Sequence, residues 1–343
     1  MKANLGHILV CTIAIFIAGC AGNGPGKEKL VIYSPHGKEL LSDFEKQFEA
    51  KNPGVDIQWM DMGSQEILDR VTTESRNSHA DIWWGAPATI FMRAEKRGVL
   101  EQYKPSWAAA VPAGARSHHD YWYGTFATPE VIAFNDKKLT PATAPQDWDE
   151  IVSPAWKGKV VMRNPLASGT LRAIFAAMLA RSVEQTGNDA QGWEWLRKLD
   201  ANTDIYAADP TQMYTKLGGN DPIVTLWNMP DIVLQKKKNN YSFGYVFPKN
   251  GTIVLTDGIA IIKGTKHREL ATRFYEFVTT KEALIAQAEK YYRIPARTDI
   301  PKELLPEWIR SITYTEMKVN WDIVAQNEVV WMRKWDTEIK SKK

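Results

Sequence analysis

Cysteine is almost missing from this chain: 343 residues carry two, Cys11 and Cys20, and Cys11 lies inside an apolar run close to the start. Once that run is removed, Cys20 stands alone and no internal disulfide can form. An excess of one charge is missing too. Lys and Arg number 43 against 40 Asp and Glu, a formal net charge of +3 with the signs interspersed, so no long-range basic field invites nucleic acid. Long apolar runs are absent after the first twenty residues, which leaves no candidate membrane span in the folded part. The chain also lacks a Gly-x-Ser-x-Gly elbow, a His-Glu-x-x-His helix and a P-loop, so no nucleophile or metal centre announces itself. The expectation is a protein that is not an enzyme and uses no cofactor. Catalytic carboxylate pairs leave no local signature, which keeps a membrane-tethered enzyme as a second alternative.

What is present begins with "MKANLGHILVCTIAIFIAGC", one Lys followed by an apolar run from Ile8 to Ala18. That run is too short to span a bilayer comfortably and has the form of a secretory signal, assigned to residues 1–19. Its end, Ile17-Ala18-Gly19-Cys20, resembles the bacterial lipobox, which implies a lipid on the Cys20 sulfur. The polar, Gly-rich stretch 20–29 suits a flexible tether, with folding from Leu30. The expected location is therefore extracytoplasmic, periplasm or cell surface, anchored to a membrane through lipid.

About 315 residues of folded chain exceed what one core usually serves, so two lobes are expected. "KLVIYSPHG", "VDIQWMD" and "ADIWWGAP" read as strands, each followed by helical periodicity: Lys38 to a stop at Asn52-Pro53-Gly54, a helix N-capped by Ser64, and one from Ala88 to Arg97. This alternation argues for an α/β fold with mostly parallel sheets flanked by helices. Open sheets of that kind bind ligands outside the carboxyl ends of their strands. "YWYGTFATPEVIAFN" reads as two strand-like runs broken at Thr128-Pro129, and "HRELATRFYEFVTTKEALIAQAEKY" as one long helical pattern. A second strand-and-helix cycle between them gives two lobes and two hinge crossings. The expected division is 30–127 with 250–300 as lobe 1, 128–249 as lobe 2, and 301–343 as a C-terminal helical segment packing on both.

With these elements in place, the chain resembles the bacterial extracellular solute-binding proteins of ABC importers, with the type 2 periplasmic-binding fold. The stretches that carry the resemblance include "LVIYSPHGKELLSDFEKQFEAKNPGVDIQW", "ADIWWGAP", "WDEIVSPAWKGKVVMRNPLASGT", "GGNDPIVTLWN" and "LTDGIAIIKGTKHRELATRFYEFVTTKEA". The branch is the one with binders of ferric iron, phosphonates and sugar phosphates. In the ferric branch the resemblance implies a His after the first strand, an acid after the third and two adjacent tyrosines in the second lobe. His36 matches, but Gly85-Ala86 stands in the acid's place and Trp227-Asn228-Met229 in that of the tyrosines. Ferric iron prefers anionic oxygen ligands, which an imidazole and an amide do not supply. The site is expected to hold no metal; a ferric receptor using His36 and Tyr33 or Tyr245 is the first alternative.

The segment Ser168-Gly169-Thr170 opens a helix with two hydroxyls around a glycine. Helix capping needs one hydroxyl; two hydroxyls and bare backbone N–H groups at a helix start also suit an anion. The candidate ligand-binding residues are Ser34, His36, Ser64, Trp84, Ser168, Gly169, Thr170, Trp227, Asn228 and Asp257. Trp83 and Trp84 face opposite sides of a strand, and Trp84, nearer its end, is assigned to the cleft. Arg163 and Arg172 are possible partners for an anion, although Arg172 can equally point away along its helix. Adjacent residues His118-His119 do not face one another and are read as surface. The expected function is capture of a small organic anion, a sugar phosphate or phosphonate, by a monomer that closes on it and delivers it to an ABC-transporter permease.

Overall fold

The computed structural model describes residues 27–340. The expected secretory signal, the tether as far as residue 26 and Cys20 lie outside the described residues.

The first lobe starts with the expected alternation: β1 (Glu28–Ser34), α1 (Lys38–Lys51), β2 (Val55–Asp61), α2 (Ser64–Thr73), β3 (Ile82–Pro87), α3 (Ala88–Lys96) and the short β4 (Leu100–Glu101). Helix α1 buries Leu40, Leu41, Phe44 and Phe48, one stripe at helical spacing, against the sheet. Strands β2, β1 and β3 lie side by side and parallel. Next comes β5 (Tyr123–Asn135), a single strand of 13 residues rather than two broken runs. Pro129 does not interrupt it, because the strand changes partners at that point: up to Pro129 it pairs with β10 (Val254–Ile262), and from Glu130 it pairs with β8 (Val224–Asn228). A proline, which lacks the N–H for a ladder bond, is tolerated at such a hand-over.

The second lobe contains β6 (Val160–Arg163), α4 (Gly169–Thr186), α5 (Ala190–Asn202), β7 (Thr203–Ala207), α6 (Pro210–Leu217), β8, α7 (Met229–Asn239) and β9 (Phe243–Val246). Strands β6 and β7 are parallel, and β6 joins β8 in parallel at Val160. Strand β10 then returns antiparallel to β3 and β5, so β5 and β10 are the two long crossings. The expected single long helix is two, α8 (Arg268–Val278) and α9 (Lys281–Tyr291), because the Thr280 hydroxyl caps α9 by accepting from the Ala283 N–H at 3.1 Å. The chain ends through β11 (Ile294–Pro295), α10 (Glu307–Ser311), α11 (Trp321–Lys334) and a π-helical turn at Trp335–Ile339. Strand β11 pairs with β5 at Phe126 and Ala127.

Each lobe has its own core. In lobe 1, Ile32, Phe44, Trp84, Ile259 and Phe274 pack as one buried cluster. In lobe 2, Trp148, Ile174, Phe175, Leu196 and Leu226 do so, joined by Val324, Trp331, Met332 and Trp335 from the C-terminal segment. Among the described residues no helix is long and apolar enough to cross a membrane.

Candidate functional site

A cleft of about 770 Å³ opens between the lobes, within the range that suits a small organic solute. It lies where the topology predicts, outside the carboxyl ends of β1, β2 and β3 and at the end of β8. Five helices begin on its wall: α1 at Lys38 and Glu39, α2 at Ser64 and Glu66, α4 at Gly169 and Thr170, α6 at Pro210 and Thr211, and α7 near Asn228 and Asp231, while Pro87 brings the start of α3 to the same place. Unpaired N–H groups and the positive ends of helix dipoles therefore concentrate here.

The lobes touch at two glycines. A Cβ on Gly63 would lie 2.6 Å from the Ala167 carbonyl oxygen, and one on Gly169 would lie 2.9 Å from Pro87 Cδ and 3.0 Å from Ser64 Oγ. Only a hydrogen at these Cα positions lets α2 and α4 come this close, so the lobes are in direct contact along this edge of the cleft. Gly63, not Ser64, is the N-cap of α2: its N–H donates to Glu66 Oε2 at 2.7 Å, and Ser64 is the first helical residue. A glycine is needed where the Ala167 carbonyl presses in, and the cap position follows. Ser168 does cap α4, accepting from the Leu171 N–H at 3.3 Å. That bond uses an oxygen lone pair and leaves the hydroxyl proton to donate. Thr170 lies half-buried on the cleft wall.

Eight of the ten expected residues line the cleft together: His36, Ser64, Ser168, Gly169, Thr170, Trp227, Asn228 and Asp257. Ser34 and Trp84 do not line it. Ser34 is buried under the loop, its Oγ accepting from the His36 N–H at 3.2 Å, and so shapes the turn that carries His36. Trp84 is fully buried between Phe44, Phe274 and His36, because β3 faces the lobe 1 core on that side. The ring of His36 occupies the space left by Gly85, where a Cβ would sit 2.2 Å from Nε2. Burial and the neighbouring Arg293 guanidinium push the His36 pKa well below its ordinary value, so the imidazole is neutral. Arg172 points away from the cleft, to Glu328 on α11.

Sequence reasoning missed the most connected residues of the site. Asp231, in the first turn of α7, accepts from Asn228 Nδ2 at 2.9 Å and Trp227 Nε1 at 3.2 Å and pairs with Arg293 at 3.0 Å. Asn228 caps the same helix by accepting from the Asp231 N–H at 2.9 Å. The pattern Asn-x-Pro-Asp is a legible helix start, and that signal would have found Asp231. Arg293 follows α9, far away in sequence, and no local pattern marks it. Tyr214 and Tyr241 also line the cleft, whereas Tyr33, which bonds Glu74 at 3.0 Å, and Tyr245, which packs on Phe247, are not part of its wall. Among the described residues no group of three or more His, Cys, Asp or Glu could hold a metal ion.

Six acids and three bases line the cleft, and three of the acids have partners that shape helix starts or pair charge: Glu66 caps Gly63, Asp209 accepts from the Gln212 N–H at 2.8 Å, and Asp231 holds Arg293. Of the others, Asp61 and Asp257 both have pKa values pushed up to about 6, mainly by burial. Thr128 donates to Asp257 and, with Arg293, opposes that rise. Behind them, Glu130 is fully buried with no hydrogen bond to either carboxyl oxygen among the described residues, and burial followed by Asp257 and Asp231 drives its pKa far up. Arg163, at the end of β6, is buried on the cleft wall; its one hydrogen bond among the described residues goes to the Ala207 carbonyl at 3.3 Å.

A two-lobed α/β clamp with a polar cleft at its hinge is the architecture of a solute receptor. Residues 44–315 match the model of the bacterial extracellular solute-binding protein family, and the chain belongs to that family. Among curated proteins it is 25% identical over 315 residues to the probable ABC transporter periplasmic-binding protein y4fP of Sinorhizobium fredii, covering 91% of this chain and 87% of the relative. It is 24% identical over 298 residues to iron uptake protein A1 of Synechocystis, covering 81% and 78%. Among solved structures, the periplasmic binding protein AfuA of Actinobacillus pleuropneumoniae, with fructose-6-phosphate bound, aligns with a TM-score of 0.78 and 21% identity over 92% of this chain and 99% of that one. The expected periplasmic-binding fold is thus present.

Proposed function

We propose that the protein is the solute-binding receptor of an ABC importer, and that its cleft takes a small organic anion of the phosphate-ester or phosphonate type. The observation that carries this reading is Arg163. It is a buried guanidinium on the wall where α2 and α4 begin, and no carboxylate pairs with it among the described residues. Burial opposes its charge and Glu66 and Asp209, both bonded elsewhere, offset that cost only from beyond ion-pair distance, so an anionic ligand in direct contact would offset more of it. The Ser64 and Ser168–Thr170 hydroxyls and the adjacent helix starts add donors for a group with several oxygens. Asp61 and Asp257 would accept from hydroxyl groups on the rest of the solute.

Binding in the closed form stabilises it over an open one in proportion to the contacts that bridge both lobes, and no bond is broken. The importer role and extracytoplasmic placement are supported by family membership and the relative y4fP, whereas the Cys20 anchor rests on the lipobox-like Ile17–Cys20 stretch alone. A calorimetric screen of sugar phosphates, phosphonates and carboxylates against the purified receptor tests the proposal. Saturable binding of a phosphorylated or phosphonate solute, lost in Arg163→Met, is expected. Binding of neutral sugars alone would reject it, and a tyrosinate-to-iron charge-transfer band after ferric loading would favour the metal alternative that the relative from Synechocystis suggests.

A further inference from the structure

Behind the cleft lies a second charged cluster that the binding reading does not use. Glu328, on α11, has a fully buried side chain, and its Oε1 lies 3.4 Å from both Arg93 Nη1 and Arg172 Nε. The two arginines come from different lobes: Arg93 from α3 in lobe 1, Arg172 from α4 in lobe 2. Helix α11 itself belongs to lobe 2, where Val324, Trp331 and Met332 enter the core and Trp331 Nε1 donates to Asp189 at 3.0 Å. Its carboxylate is therefore carried by one lobe and held by both.

Each arginine also touches a segment of the cleft wall. Arg93 Nη1 donates to Gln65 Oε1 at 3.0 Å, and Gln65 follows Ser64. Arg172 Nη2 donates to the Leu166 carbonyl at 3.1 Å, two residues before Ser168. One acid thus connects, through two guanidinium groups, the start of α2 and the loop before α4, which meet at Gly63 and Gly169. A lone carboxylate buried between two arginines has a defined geometry only while both remain in place; separation of the lobes takes Arg93 away and leaves Arg172 as the single partner.

We propose that Glu328 is an interlobe latch and positioning residue: it holds the closed form by gathering Arg93 and Arg172, and it sets where Ser64 and the Ser168–Thr170 loop stand. Its consequence for affinity rests on the cleft being the solute site. The latch itself is measurable without solute, so its failure and the failure of the binding reading are distinguishable.

The test is hydrogen exchange of the ligand-free full chain, with its radius of gyration from X-ray scattering. In Glu328→Gln, which keeps shape and removes charge, amide exchange should rise about tenfold in both first turns, reported by Ile67 in α2 and Arg172 in α4, and the radius of gyration should increase. Arg93→Lys alters lobe 1 only, yet should loosen Arg172 and its neighbours in lobe 2, because coupling is reciprocal. Loosening confined to α11 and the lobe 2 core would show a docking residue and overturn the latch, as would unchanged exchange in both first turns. If Glu328→Gln does not fold, Arg93→Lys decides alone: faster exchange across the lobe boundary supports the latch, and none rejects it.

Discussion

Asp231 of lobe 2 and Arg293 of lobe 1 meet inside the cleft at 3.0 Å, so an ion pair joins the two lobes across it. The Arg293 side chain is only 6% exposed and lies over the Phe126 ring. Opening the cleft would return Asp231 to water. Arg293→Met should therefore shift the receptor towards the open form and weaken solute binding about tenfold, a coupling of the usual allosteric size. Thermal stability should change little, and scattering with calorimetry checks both.

Gly63 and Gly169 give a second expectation. Adding a methyl group at Gly63 drives it into a backbone oxygen at 2.6 Å, which cannot rotate aside. Gly63→Ala should prevent full closure and lower affinity at least tenfold while each lobe keeps its fold. A variant that binds as tightly as the parent would show that closure leaves room at this contact.

Ser168 and Thr170 separate capping from binding. Ser168→Ala removes the N-cap of α4 and should cost about 1 kcal/mol of stability in urea denaturation. Thr170→Val removes a hydroxyl that caps nothing and should leave stability unchanged but weaken binding of the anion. Equal behaviour of the two variants in both measurements would contradict the assignment.

The raised pKa values of Asp61 and Asp257, about 6 against ordinary carboxylates near 4, set a pH dependence. The folded form holds these protons more tightly than the unfolded chain does. Their contribution to stability is therefore greatest below the unfolded value and declines as pH rises from about 4 to about 6. An anion in the cleft favours the protonated acids as well, so affinity for sulfate, whose charge is constant here, should fall as pH rises through 6. Asp257→Asn should flatten that profile in calorimetric titrations.

Trp335 ties the C-terminus to lobe 2. It is fully buried, with ring contacts to Phe175 and Tyr206. Trp335→Ala should cost about 3–5 kcal/mol in chemical denaturation, the usual cost of deleting a large buried ring.

The alternation of β1 to α3 and the helix start at Ser168 were legible because periodicity and caps are local signals. So was His36, which follows a strand end and a turn. Trp84 misled because strand alternation shows that two neighbours face opposite ways without showing which face is core. Thr128-Pro129 misled because a strand that changes sheets in mid-course looks like two strands to a local pattern. The Asp231–Arg293 pair spans 62 residues and the Arg93–Glu328 pair 235, so neither leaves a trace in any short window.

The sequence by itself determined that strands feed helices whose first turns offer N–H groups and hydroxyls, since backbone propensity and capping act over a few residues. Tertiary structure alone decided which of those turns meet, through β5 and β10 crossing between lobes and the missing side chains at Gly63 and Gly169 that allow contact. It also decided which charges are paired: packing brings Arg293 to Asp231 and both Arg93 and Arg172 to Glu328, and leaves Arg163 on the cleft wall with no ion pair among the described residues. Pairing over such distances in sequence is fixed by packing, because only the assembled core removes the water that would otherwise solvate each charge separately.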